Sequence, residues 1–212
     1  MRPGRRAPAT TTTMAIVDLF VTYYGDQVLY RNNGDGTFTD VTRQSGLSLS
    51  SPRWNTGAAF LDFDRDGHLD LFVSAYVAFA DATRYPRGSR GDCFWKGLGV
   101  MCGPHGLAGS QNMLFRGNGD GAPSATCPRK QASWPPGQPS ASPPLVLDYD
   151  NDRWPDVCVA NDSTASLLLS QQRMTERSRT VGLQAGVALT ADGRAQAGMG
   201  VDAGDYDRDG WL

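Results

Sequence analysis

Aspartates at alternating positions are the residues of this sequence best suited to chemistry. Asp62, Asp64 and Asp66 stand at positions one, three and five of a short run; Gly67 follows, and Asp70 occupies position nine. Carboxylates at alternate positions of a tight loop converge on one point, and the glycine permits the sharp backbone turn. Crowded together they repel, at roughly 4 kcal/mol per pair for unit charges about 4 Å apart in an effective dielectric of about 20. Such a loop needs a counter-charge or must splay. Several hard, anionic oxygens in a flexible loop suit Ca2+ better than Zn2+ or Mg2+. The carbonyl of His68 at position seven is expected to face the same centre, and Asp70 to close it.

The pattern recurs. Asp148, Asp150, Asp152 and Asp156 repeat it, with the Trp154 carbonyl at position seven and Arg153 where the first loop has Gly67. A side chain there strains the turn and brings a positive charge near the ligands, so this site is expected to be the weaker. Asp205, Asp207 and Asp209 with Gly210 form a third copy that stops short of its closing residue. One such loop is compatible with a solvated polar turn; three aligned copies argue against that. The helix–loop–helix calcium motif begins the same way but requires a Glu at position twelve and flanking helices. Position twelve is Val73 in the first loop and Val159 in the second, so that motif is excluded.

The elements that position these loops read as strands. Leu69, Leu71 and Val73 fall on one face and Asp70, Phe72 and Ser74 on the other, the alternation of an extended chain. A second repeated motif, Leu29 to Phe38 (LYRNNGDGTF) and Leu114 to Gly121 (LFRGNGDG), carries the Asn-Gly and Asp-Gly signals of tight turns. Strand, Asp loop, strand, Asn-Gly turn, strand is a repeating antiparallel unit. The expectation is an all-β fold, a partial β-propeller of about three to four blades. The interval from Asp62 to Asp148 is about half as long again as that from Asp148 to Asp205. An insertion at about 80–107 accounts for the difference.

Bulk properties narrow the function classes. A net charge of −2 on 212 residues offers no broad field for nucleic acid. No window approaches the roughly 18–20 apolar residues of a membrane span. The basic, Thr-rich start lacks the apolar core of a signal peptide. Cys93 and Cys102 bracket a Gly-rich loop and read as a local disulfide or as two unpaired thiols, the former implying an oxidising compartment. His68 and His105 are the only histidines, and no nucleophile-elbow, zinc-protease or phosphate-loop motif occurs. A non-catalytic binding module is therefore expected. An accessory or catalytic propeller domain of a polysaccharide-active enzyme is the alternative. Phe94 and Trp95 in the insertion could contact a ligand or plug the loop onto the core.

The Asp loops together with the LYRNNGDGTF motif resemble FG-GAP/VCBS repeats, the units of integrin-α-like propellers. More narrowly, Met101 to Leu107 (MCGPHGL), Val159 to Thr164 (VANDST) and Gln196 to Asp207 (QAGMGVDAGDYD) resemble bacterial relatives of cartilage acidic protein that carry an ASPIC/UnbV domain. The resemblance implies a secreted, periplasmic or cell-surface propeller, here as a fragment at 15–212 behind an atypical tail at 1–14, with an unidentified protein or glycan partner. Segments 122–142 and 170–180 depart from the repeat, as does Arg2 to Ile16. An out-of-frame origin would explain all three, and they are then expected to pack poorly.

Overall fold

The computed structural model describes residues 17–48, 52–78, 94–100, 104, 109–117, 119, 123–124, 143–171 and 178–211. Among them every regular element is a strand, and every strand pairing is antiparallel. Short strands between Gly- and Asp-rich turns are what β-branched and aromatic runs produce when no helical period competes.

Three sheets follow one another along the chain. The first is β1 (Leu19–Val21), β3 (Val28–Asn32) and β4 (Phe38–Asp40), in that order. The second is built on β5 (Arg53–Leu61), β6 (Asp70–Ala75), β9 (Met113–Gly117) and β10 (Pro123–Ser124). The third is β11 (Leu145–Leu147), β12 (Asp156–Val159), β14 (Leu167–Gln171) and β15 (Ser178–Thr180). In the second and third sheets the Asp loop joins the first two strands, as the alternation predicts. The Asn-Gly turn joins β3 to β4.

Neighbouring sheets are stitched by a repeated crossing. After β1 the chain forms β2 (Tyr24–Gly25), which pairs with the start of β5 in the next sheet through Tyr24↔Trp54 and Gly25↔Arg53. After β12 it forms β13 (Asp162–Thr164), which pairs with β16 (Gln196–Ala197). β16 precedes the third Asp loop just as β5 precedes the first. The equivalence makes residues 196–211 the opening of a fourth unit after three blades, a propeller-like arrangement.

The core lies between the sheets, and β6 shows why. All six of its residues are buried. Leu71 and Val73 pack with Leu29, Val41 and Leu47 of the first sheet and the turn that follows it. Phe72, on the opposite face, packs with Leu61 and with Val157, Val159, Leu167 and Leu169 of the third. A strand covered on both faces by neighbouring blades reads as continuously apolar rather than alternating polar and apolar.

The segment between β6 and β9 departs and returns at one point: Val77 bridges Gly109, and Ser110 N–H donates to the Tyr76 carbonyl at 3.0 Å. Within it, β7 (Phe94–Trp95) and β8 (Leu98–Gly99) form a hairpin on which Phe94 is 66% exposed, so Phe94 does not plug the core. Cys93, Cys102 and His105 lie outside the described residues, as does Arg2 to Ile16. The expectation of poor packing over 170–180 is corrected at both ends. Ser170 and Gln171 are buried, and Ser178–Thr180 pairs with β14 through Leu169↔Thr180, Ser170↔Arg179 and Gln171↔Ser178. Backbone pairing tolerates an atypical composition here because β14 supplies the template. Pro123–Ser124, inside the second atypical segment, likewise pairs with Gly117 and Arg116.

Phe72 ties two blades together, so Phe72→Ala should destabilise the fold by about 3–5 kcal/mol. A urea unfolding midpoint left unchanged would show that the two sheets do not share this core.

Candidate metal centre

An aspartate opens β6 and β12 and another stands just before β1, and the first two are anchored in the same way. Asp70 Oδ2 accepts Phe63 N–H at 2.8 Å and its Oδ1 accepts Gly117 N–H at 2.8 Å. Asp156 Oδ2 accepts Tyr149 N–H and its Oδ1 accepts Gln171 N–H, both at 2.9 Å. Each carboxylate thus ties the second residue of its Asp loop to the end of the third strand of the blade. In the first sheet Asp18 Oδ1 accepts Asn32 N–H at 2.9 Å, a like link from the start of β1 to the end of β3. Asp70 and Asp156 are buried, and burial pushes both carboxyls up to about 6 against the pull of their N–H donors.

The loops they anchor are near copies. Asp62, Asp64 and Asp66 bring one oxygen each within 4.8 Å of one another, as do Asp148, Asp150 and Asp152, and Asp205, Asp207 and Asp209. The first aspartate of each loop caps the turn: Gly67 N–H donates to Asp62, Arg153 N–H to Asp148 and Gly210 N–H to Asp205, at 3.0, 2.8 and 2.9 Å. The third caps the next residue, accepting from the N–H of His68, Trp154 and Trp211. The turn demands positive φ at two positions. The fourth residue is Arg65, Asn151 or Arg208, at φ 57, 58 and 64°. The sixth is Gly67 at 87°, Gly210 at 91° and Arg153 at 71°. Arg153 therefore carries the strain that a side chain meets in the left-handed region, about 1–2 kcal/mol.

Charge within the first loop is only partly compensated. Arg116 on β9 donates from Nη2 to Asp64 Oδ2 at 2.6 Å and to Asp66 Oδ2 at 2.8 Å. Burial raises the Asp64 carboxyl despite this partner. At Asp66 burial also acts upward, but the His68 N–H and Arg116 outweigh it and the carboxyl ends lowered. Two oxygens remain without a donor among the described residues: Asp62 Oδ1 and Asp64 Oδ1 are shielded from water and have no hydrogen-bond partner there. Anionic oxygens removed from water without a partner are costly, and a cation shared between them is the group that would satisfy both. The residues present therefore fit a hard divalent ion.

The first and second loops also meet. The Arg65 guanidinium lies 5.3 Å from the centroid of the Trp154 ring, within range of a cation–π contact. Beyond its backbone, His68 covers Gly119, where a Cβ would lie 2.4 Å from the imidazole Cε1. Gly119 is thereby held against the first Asp loop. In the third loop Tyr206 is exposed, whereas its counterpart Phe63 packs against the core.

A model of the FG-GAP-like repeat matches residues 16–73 and 148–212, more than half of the chain. The chain belongs to the FG-GAP-like repeat family. No curated protein matches it. Both matched stretches contain Asp loops, and the first begins just before the blade whose Asp18 makes a like strand link.

The alternating aspartates predicted from spacing are brought together in threes. Asp70 and Asp156 lie outside those groups, with both oxygens engaged by backbone N–H donors. That anchoring role was not anticipated. Its signal was present as an aspartate at or just before the start of a strand, in Asp18-Leu-Phe-Val, Asp70-Leu-Phe-Val and Asp156-Val-Cys-Val. Arg116 was also missed, because only strand pairing brings β9 beside the loop.

Asn fills the volume of Asp70 but faces one of its two N–H donors with an amide NH2, so Asp70→Asn should cost about 1–3 kcal/mol. The pH dependence has a definite sign. A folded-state pKa raised above the unfolded value gives stability at acid pH that is lost as pH rises from about 4 through about 6. Metal-free protein should therefore show a falling urea midpoint across that window. The fall should flatten in the Asp70→Asn/Asp156→Asn variant, and equal slopes in the two proteins would contradict the assignment.

Proposed function

We propose that this chain is a calcium-binding, non-catalytic repeat module that presents loops to a protein or glycan partner outside the cytoplasm. The observation that carries the reading is the pair of water-shielded, unpartnered oxygens, Asp62 Oδ1 and Asp64 Oδ1, within a carboxylate triad repeated in two further loops. The ion would be held by Asp62, Asp64, Asp66 and the His68 carbonyl, with Asp70 closing the site. Asp148, Asp150, Asp152, the Trp154 carbonyl and Asp156 would act likewise in the second loop. Asp205, Asp207 and Asp209 would supply part of a third. When bound, the ion supplies charge neutralisation and cross-links one turn; it has no reaction to drive.

The two motifs behind the resemblance to ASPIC/UnbV-type proteins meet in the fold. The VANDST and QAGMG motifs pair as β13 and β16, and Gly198 N–H donates to Asn161 O at 3.0 Å. A Cβ at Gly198 would come within 3.0 Å of Ala160 Cβ, so both motifs answer to one packing requirement.

Calcium at about 100-fold above its dissociation constant stabilises by roughly 2.7 kcal/mol per site, or roughly 5–10 °C in Tm for a chain of this size. Scanning calorimetry in EDTA and then in excess CaCl2 should show that rise, reduced in Asp64→Ala. An identical Tm in both buffers would remove the stabilising role.

A further inference from the structure

The first and second loops share their turn geometry, and the third strand places a different residue beside each. The third strands of their blades are aligned by the buried aspartates: Gly117 N–H meets Asp70 and Gln171 N–H meets Asp156. The residue one step earlier is Arg116 in one blade and Ser170 in the other. At this third-strand position, therefore, the first loop receives a guanidinium and the second does not. That guanidinium touches Oδ2 of Asp64 and of Asp66, leaving Asp62 Oδ1 and Asp64 Oδ1 open. A cation between those open oxygens and the Arg116 head would coexist, but as like charges a few ångströms apart.

We propose that Arg116 is a built-in counter-cation of the first loop. It holds Asp64 and Asp66 in place when no metal is bound, and it lowers the affinity of the same loop for calcium. Two effects of Arg116 compete at this site. Orientation of the carboxylates favours metal binding, whereas repulsion between a guanidinium and a doubly charged ion opposes it. The backbone already orients much of the loop, since Gly67 N–H fixes Asp62 and His68 N–H fixes Asp66, so the orienting contribution of Arg116 is the smaller one. Repulsion between a guanidinium and a doubly charged ion that share the Asp64 carboxylate is appreciable even in water, and the Arg116 side chain, 38% exposed, is only partly screened. Electrostatics wins. This inference rests on the calcium reading, which it deepens by assigning a residue that sets the affinity of one site.

The test uses the full chain and calcium alone. Arg116→Met keeps the aliphatic stem and removes the charge; Arg116→Lys keeps the charge. By titration calorimetry with CaCl2, Arg116→Met should bind about three- to tenfold tighter at the first loop, and Arg116→Lys should stay near the parent. The difference should persist when Asp150→Ala disables the second loop. In EDTA the Tm of Arg116→Met should fall, because Asp64 and Asp66 lose the guanidinium that bridges them. Calcium binding that weakens or stays the same in Arg116→Met, with the parent binding normally, overturns the proposal. So does a difference that disappears with Asp150→Ala. No calcium heat in the parent overturns the calcium reading instead. The EDTA melts then still decide whether Arg116 holds the loop, and an unchanged Tm says it does not.

Discussion

A buried carboxylate that accepts two backbone N–H groups is the fixed point of each complete blade. Asp70 and Asp156 are enclosed where the second strand begins, and each fastens an Asp loop to the end of the third strand. Burying a charge is expensive unless its oxygens are engaged, so geometry at this point is tightly specified. The loop cannot shift without stranding a carboxylate, and the third strand cannot slip register without losing the same bond. Placement of the three alternating aspartates follows from that constraint.

The same constraint explains how a surface turn is coupled to a core. Phe63 donates its N–H to Asp70 while its ring packs against the cluster that includes Phe72 and Leu169. Tyr149 donates to Asp156 from the matching position. Each Asp loop is thus tethered at its second residue and capped by its own first aspartate. Outside the tether, the carboxylates face one another with little freedom to separate. Arg116 offsets part of that repulsion in the first loop, and the Arg65–Trp154 contact carries the arrangement across to the next blade. Ion binding at such a turn would act on strand junctions that the core already holds.

Much of this was legible in the residues. Period-two alternation and the turn signals at Asn33-Gly34 marked strands, and the recurrence of one Asp pattern in three runs marked repeats. The triads followed from loop spacing alone, because neighbours at positions one, three and five are close in any tight turn. What spacing could not show were contacts made through strand pairing. Arg116 is fifty positions from Asp66, and nothing local links them. The dual anchoring of Asp70 also depends on Gly117, which arrives only when β9 pairs with β6. The segment at 170–180 misled in the opposite sense: its composition departs from the repeat, yet its two ends complete a sheet.

A crystal structure grown in CaCl2, with anomalous diffraction to locate the ion, addresses the central claim most directly. The account predicts a peak about 2.3–2.6 Å from both Asp62 Oδ1 and Asp64 Oδ1, with Asp70 still bonded to Phe63 and Gly117. Those two oxygens turned to water, with no ion between them in saturating calcium, would contradict it.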